Sequence, residues 1–117
     1  MSKLKEIKLR WSMHVPEDQV SKEFLQGMLD HMIVGFHNYG HTHRTHNKAD
    51  SIKCLCLRLK KYRETHNTEF LMDAANFCMM EFMVPKDPRA FYAPTTKKES
   101  PGAILQDGRR VMGKEEM

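Results

Sequence analysis

The chain has 117 residues, with 19 Lys and Arg against 15 Asp and Glu for a formal net charge of +4. That length supports one core but not two independent ones, and so mild an excess of base favours anionic partners without the density of a protein that coats DNA. No stretch approaches the roughly 18 apolar residues of a membrane span, and the start MSKLKEIKLRW lacks the unbroken apolar core of a signal peptide, so a soluble, cytoplasmic protein is expected.

In chain order, the first segment alternates: Ile7, Leu9, Trp11, Met13 and Val15 on one side, Lys8, Arg10, Ser12 and His14 on the other. Period two predicts a half-buried strand, which must pair within the chain or with a second copy of it. Pro16 is placed to open a helix, with Glu17 and Asp18 complementing its dipole. From there Val20, Phe24, Leu25, Met28, Leu29, Met32, Ile33 and Phe36 follow a helical core face. Gly40, after Tyr39, stands where a C-terminal cap is expected. Glu23, Asp30 and His37 recur every seven residues on the flank of that face.

The loop HTHRTHNKAD follows, with Asn47 as expected cap of the next helix and Asp50 as its capping-box partner. In that helix Ile52, Leu55, Cys56, Leu59 and Tyr62 form the expected buried stripe, with Lys53, Lys60, Lys61 and Arg63 outside. Thr65, His66 and Asn67 make a turn so short that the second and third helices should form an antiparallel hairpin. The third helix, within HNTEFLMDAANFCMMEFMVP, is apolar on most of its circumference and belongs in the middle of the domain. Beyond it Pro85, Pro88, Pro94 and Pro101 forbid a long helix, leaving an extended arm with Phe91 and Tyr92 as expected anchors. Ile104-Leu105 and Val111-Met112 flank Asp107-Gly108, which predicts a small hairpin. Cys54, Cys56 and Cys78 lie in helical contexts without a disulfide framework, so a reducing compartment fits.

The polar residues of the third helix carry the chemistry. Glu69, Asp73 and Asn76 sit at i, i+4 and i+7, on one narrow stripe of a helix that is apolar elsewhere apart from Glu81. Buried polar groups need partners, so the stripe either pairs with neighbouring helices or lines a polar cleft. In the second case it would accept hydrogen bonds from a base or ribose, or hold Mg²⁺ through one or two carboxylates. The histidine-rich loop lacks zinc-ligand spacing, since Cys54 and Cys56 at i, i+2 point apart. Arg44 and Lys48 in that loop suit phosphate better. Without a helix-turn-helix signature or aromatic platform, nucleic-acid recognition is not favoured.

KYRETHNTEFLMDAANFCMMEFMVPKDPRAFYAP, followed by KKESPG, resembles a family of small proteins encoded by bacteriophages and prophages. The resemblance rests on Tyr62, Glu64, Thr65, Asn67, Glu69, Asp73, Asn76, Glu81 and Pro85, and implies a phage origin. That family usually has Gly where this chain has His66, with Asn67 then the expected left-handed residue. The helical arrangement is also distantly similar to the all-α nucleotide pyrophosphohydrolases of the MazG and dimeric dUTPase type. Those bind Mg²⁺ with E-E-x-x-E and E-x-x-D motifs. The first is missing here, and Glu69-x-x-x-Asp73 is one residue longer than the second.

The expected architecture is a mainly α single domain over 1–117. It comprises an N-terminal strand at 1–15, a three-helix core over 16–84, and an extended Pro-rich C-terminal arm with a small hairpin over 85–117. The expected function is a phage accessory protein, in the cytoplasm of an infected bacterial host, that sequesters a small phosphorylated ligand such as a defence signalling nucleotide. Its ligand-binding residues are Tyr39, His41, His43, Arg44, Lys53, Lys60, Glu69, Asp73 and Asn76, and no resident cofactor is expected. The first alternative is a Mg²⁺-dependent hydrolase using Glu69 and Asp73 with Glu23 or Asp30. The second is an inhibitor of a host protein or nucleic acid acting through the basic face. Self-association as a homo-oligomer is expected, and membrane association is not.

Overall fold

The computed structural model describes residues 17–41 and 48–113. The predicted N-terminal strand and the loop residues His43, Arg44 and Asn47 lie outside the described residues. The fold is mainly α. The chain forms two compact units, Met1–Lys86 and Asp87–Met117.

In the first unit a 3-10 turn at Glu17–Gln19 precedes three helices: α1 (Lys22–Tyr39), α2 (Ser51–Thr65) and α3 (Glu69–Met83). The first long helix thus begins later than Pro16 suggested, because Ser21 takes an extended backbone and its hydroxyl accepts the Phe24 N–H at 3.0 Å. It ends where expected: Gly40, at φ 82°, donates its N–H to the Phe36 carbonyl. The second helix is capped by Asp50 itself, whose carboxylate accepts the Lys53 N–H at 3.0 Å. The cap therefore sits three residues beyond Asn47.

The α2–α3 connection is built from its own polar side chains. His66 takes the left-handed conformation at φ 64°, ψ 16°, while its N–H still reaches the Tyr62 carbonyl. That position, rather than Asn67, absorbs the reversal. Asn67 instead accepts the Glu69 N–H through Oδ1 at 3.0 Å, satisfying one of the orphan donors at the start of α3. Thr65 accepts the Asn67 N–H and donates its own hydroxyl proton to the Lys61 carbonyl.

α3 packs against both other helices, α2 being the more extensive partner. Among the described residues the buried apolar side chains are Ala74, Phe77 and Met80, all on α3, while α1 has no fully buried residue. The third helix is therefore central, as its apolar circumference implied. The buried stripe of α2 differs from the expected one. Ser51 is fully buried and Cys54, Leu55, Arg58 and Tyr62 are half-buried, whereas Ile52, Cys56 and Leu59 are exposed. The face turned inward is thus rotated by about one residue from the expected stripe, with Ser51 inward at its start and α3 as the helix that covers it. Where α1 meets α3, Gly27 lies so close to the Met72 thioether that an added Cβ would collide with it.

In the second unit β1 (Ala103–Ile104) pairs antiparallel with β2 (Arg110–Val111), in the register Ala103 to Val111 and Ile104 to Arg110. The Asp107-Gly108 turn forms as predicted: Gly108 sits at φ 91° and donates to the Leu105 carbonyl at 2.9 Å. Phe91 and Tyr92, the expected anchors of the arm, are 86% and 79% exposed. Among the described residues no helix is long and apolar enough to cross a membrane.

A candidate ligand cleft between the helices

The polar stripe of α3 lines a cleft of about 420 Å³ in the first unit. Its opposite wall comes from the C-terminal half of α1, including His31, Phe36, Asn38 and Tyr39, and one basic side chain, Arg58, enters from α2. Helical spacing puts Glu69, Asp73 and Asn76 on this wall together, and their surroundings then diverge.

Glu69, in the first turn of α3, has a side chain 64% exposed. Asp73 is half-buried, and its Oδ1 lies 2.7 Å from His31 Nδ1. An ionised carboxylate can only accept, so in that state of Asp73 the bond places a proton on Nδ1. His31 Nε2 is left facing Glu69 Oε1 at 4.0 Å. Asn76 is 3% exposed; its Nδ2 donates to the Met28 carbonyl at 2.9 Å, which fixes α3 against α1. Its Oδ1 is buried and has no partner among the described residues. Such an orphan acceptor costs on the order of 1–3 kcal/mol.

Arg58 holds its guanidinium 4.6 Å from the centre of the Phe77 ring. A cation over an aromatic face is attracted by the ring quadrupole, and that contact leaves the N–H edges of the fork uncommitted. Arg58 makes no hydrogen bond or ion pair among the described residues. The cleft therefore has a row of acceptors along α3, a histidine bound to that row, and a positioned cation on a third helix.

Of the residues singled out in the sequence, Tyr39, Glu69, Asp73 and Asn76 meet in this cleft. His41 follows the α1 cap and packs edge-on to Phe36, with ring centres 5.0 Å apart. Lys53 and Lys60 are exposed on α2 and do not line the cleft, and His43 and Arg44 lie outside the described residues. Glu23 and Asp30 are exposed and do not line it either; Asp30 accepts from Gln26 Nε2 at 3.0 Å. Among the described residues no group of three or more His, Cys, Asp or Glu is gathered to hold a metal ion.

Sequence reasoning missed His31 and Arg58. A signal existed for both: His31 lies three residues after Met28 and four before Gly35, and Arg58 three after Leu55 and four before Tyr62. Each is a polar residue on the covered face of its own helix. No protein-family model, curated protein or solved structure matches the chain.

Proposed function

We propose that the helical unit binds a small phosphorylated ligand, of the nucleotide class, in the cleft between α1, α2 and α3, and retains it without converting it. The observation that carries this reading is Arg58: a half-buried residue whose guanidinium is steadied on Phe77, with its N–H edges uncommitted at the wall of the cleft. Arg is suited to phosphate because its planar fork matches two oxygens at once. The acceptors on α3 suit the base or sugar, and the rim aromatics Phe36 and Tyr39, both exposed, suit a ring. The phage resemblance of residues 61–102 extends the reading to capture of a host defence nucleotide, by analogy.

A melting-temperature screen of the full chain against linear and cyclic nucleotides tests it, since a ligand specific to the folded state raises stability by mass action. At least one nucleotide should raise the melting temperature and be recovered intact after heat denaturation, and Arg58→Ala should weaken its binding about tenfold or more. A panel with no stabilising nucleotide overturns the reading.

Hydrolysis is the second reading, favoured by one observation: Asp73 holds His31 by Nδ1 so that Nε2 faces Glu69 Oε1 at 4.0 Å. A histidine so held is arranged for proton transfer. Product analysis after incubation with Mg²⁺ separates the two, because sequestration returns every nucleotide unchanged. Self-association accords with either reading, since Ile52, Leu57 and Leu59 are exposed on α2. Analytical ultracentrifugation would measure it.

A further inference from the structure

Resting on that reading of the cleft, we infer that its α3 wall selects guanine among the nucleobases, with Glu69 as the residue that reads it. The wall is rich in acceptors and poor in donors. Glu69 offers two carboxylate oxygens, and at 4.0 Å from His31 it is not held in a hydrogen bond. Asp73 has one oxygen committed to His31. Asn76, 97% buried on the same wall, adds no donor, because its Nδ2 is committed to the Met28 carbonyl.

A ligand matched to the paired oxygens of Glu69 must bring adjacent N–H groups. Guanine has them: N1–H and the 2-amino group lie side by side on one edge and can donate in parallel to the two oxygens of one carboxylate. Adenine flanks its amino group with ring acceptors, cytosine sets N3 beside its amino group, and uracil encloses its single N–H between two carbonyls. Each of those edges turns at least one lone pair toward the carboxylate. The other end of a guanine nucleotide is anionic, matching Arg58 on α2.

The test is isothermal titration of the full chain with GMP, IMP and AMP, repeated on Glu69→Gln and Arg58→Ala. IMP lacks only the 2-amino group, so wild type should bind GMP about tenfold or more tighter than IMP, the effect of one charge-assisted hydrogen bond, and AMP no better than IMP. Glu69→Gln, at an exposed helix-start position where the fold is not at stake, should reduce the GMP preference to about threefold or less. Equal affinities for GMP and IMP in wild type, or a preference unchanged in Glu69→Gln, overturn the inference. If Arg58→Ala weakens those equal affinities alike, the cleft reading survives. Absence of binding by all three nucleotides overturns the inference, and inorganic phosphate, bound by wild type but not by Arg58→Ala, would then show the anion site intact.

Discussion

The two sides of α3 are built differently. Toward α2 the contact is extensive, with Arg58 lying over Phe77 and a short, internally hydrogen-bonded turn joining the helices. Toward α1 the contact is slighter and depends on particular atoms: Gly27 against Met72, Asn76 on the Met28 carbonyl, and His31 on Asp73. Packing on one side makes α2 and α3 a unit, while sparse polar joints on the other leave room for a cleft. A well-packed interface has no space for a ligand, and polar groups cannot be left facing apolar side chains at low cost. The candidate site accordingly lies on the side that is poorly packed.

The largest effect should come from the packed side. Phe77→Ala removes a buried aromatic and the support of Arg58, and should destabilise the protein by about 3 kcal/mol in urea denaturation. A loss below about 1 kcal/mol would show that α2 and α3 are not held as described.

Asn76→Leu sharpens the contrast on the α1 side. It gives up one hydrogen bond, worth on the order of 1 kcal/mol, and also abolishes a buried orphan acceptor costing roughly 1–3 kcal/mol. The variant should therefore be as stable as wild type or about 1 kcal/mol more so in urea denaturation. Strong destabilisation would make Asn76 chiefly a clasp between helices.

Next is the turn of the packed hairpin. His66 is held at positive φ, where a side chain costs roughly 1–2 kcal/mol and glycine costs little. His66→Gly should raise stability by about 1 kcal/mol, net of the added freedom of the unfolded chain, with no change in ligand affinity. A fall in the melting temperature would refute the strain assigned there.

The smallest effect belongs to the second unit. The Arg89 side chain, then its backbone N–H, hydrogen-bonds the Asp87 carboxylate and holds its pKa below the ordinary value. A lowered pKa means that the pair stabilises above the ordinary carboxylate range and loses that contribution as pH falls through the lowered value. Because both side chains are exposed, solvent screening leaves the effect slight. An NMR titration should show the Asp87 carboxyl return toward its ordinary pKa in Arg89→Gln.

Much of the fold was legible because it is dictated locally. The three helices, the Gly40 cap and the Asp107-Gly108 turn follow from periodicity and from backbone conformations that few residues tolerate. The stripe Glu69-Asp73-Asn76 was legible for the same reason, since helical spacing alone places three side chains on one wall. Caps were harder to locate: the helices start downstream of Pro16 and Asn47, at Ser21 and Asp50, each with a side-chain oxygen on a free backbone N–H.

By itself the sequence determined that α3 is central and that its polar residues share a face, because both depend only on pitch and composition. What those residues meet was decided by tertiary structure. Which face α2 turns inward depends on the shape of the helix it packs against, so Arg58 enters the cleft while Lys53 and Lys60 stay outside. That His31 reaches Asp73, 42 positions away, depends on how α1 lies across α3. A helix pattern specifies what shares a face; only packing specifies what that face is opposed to.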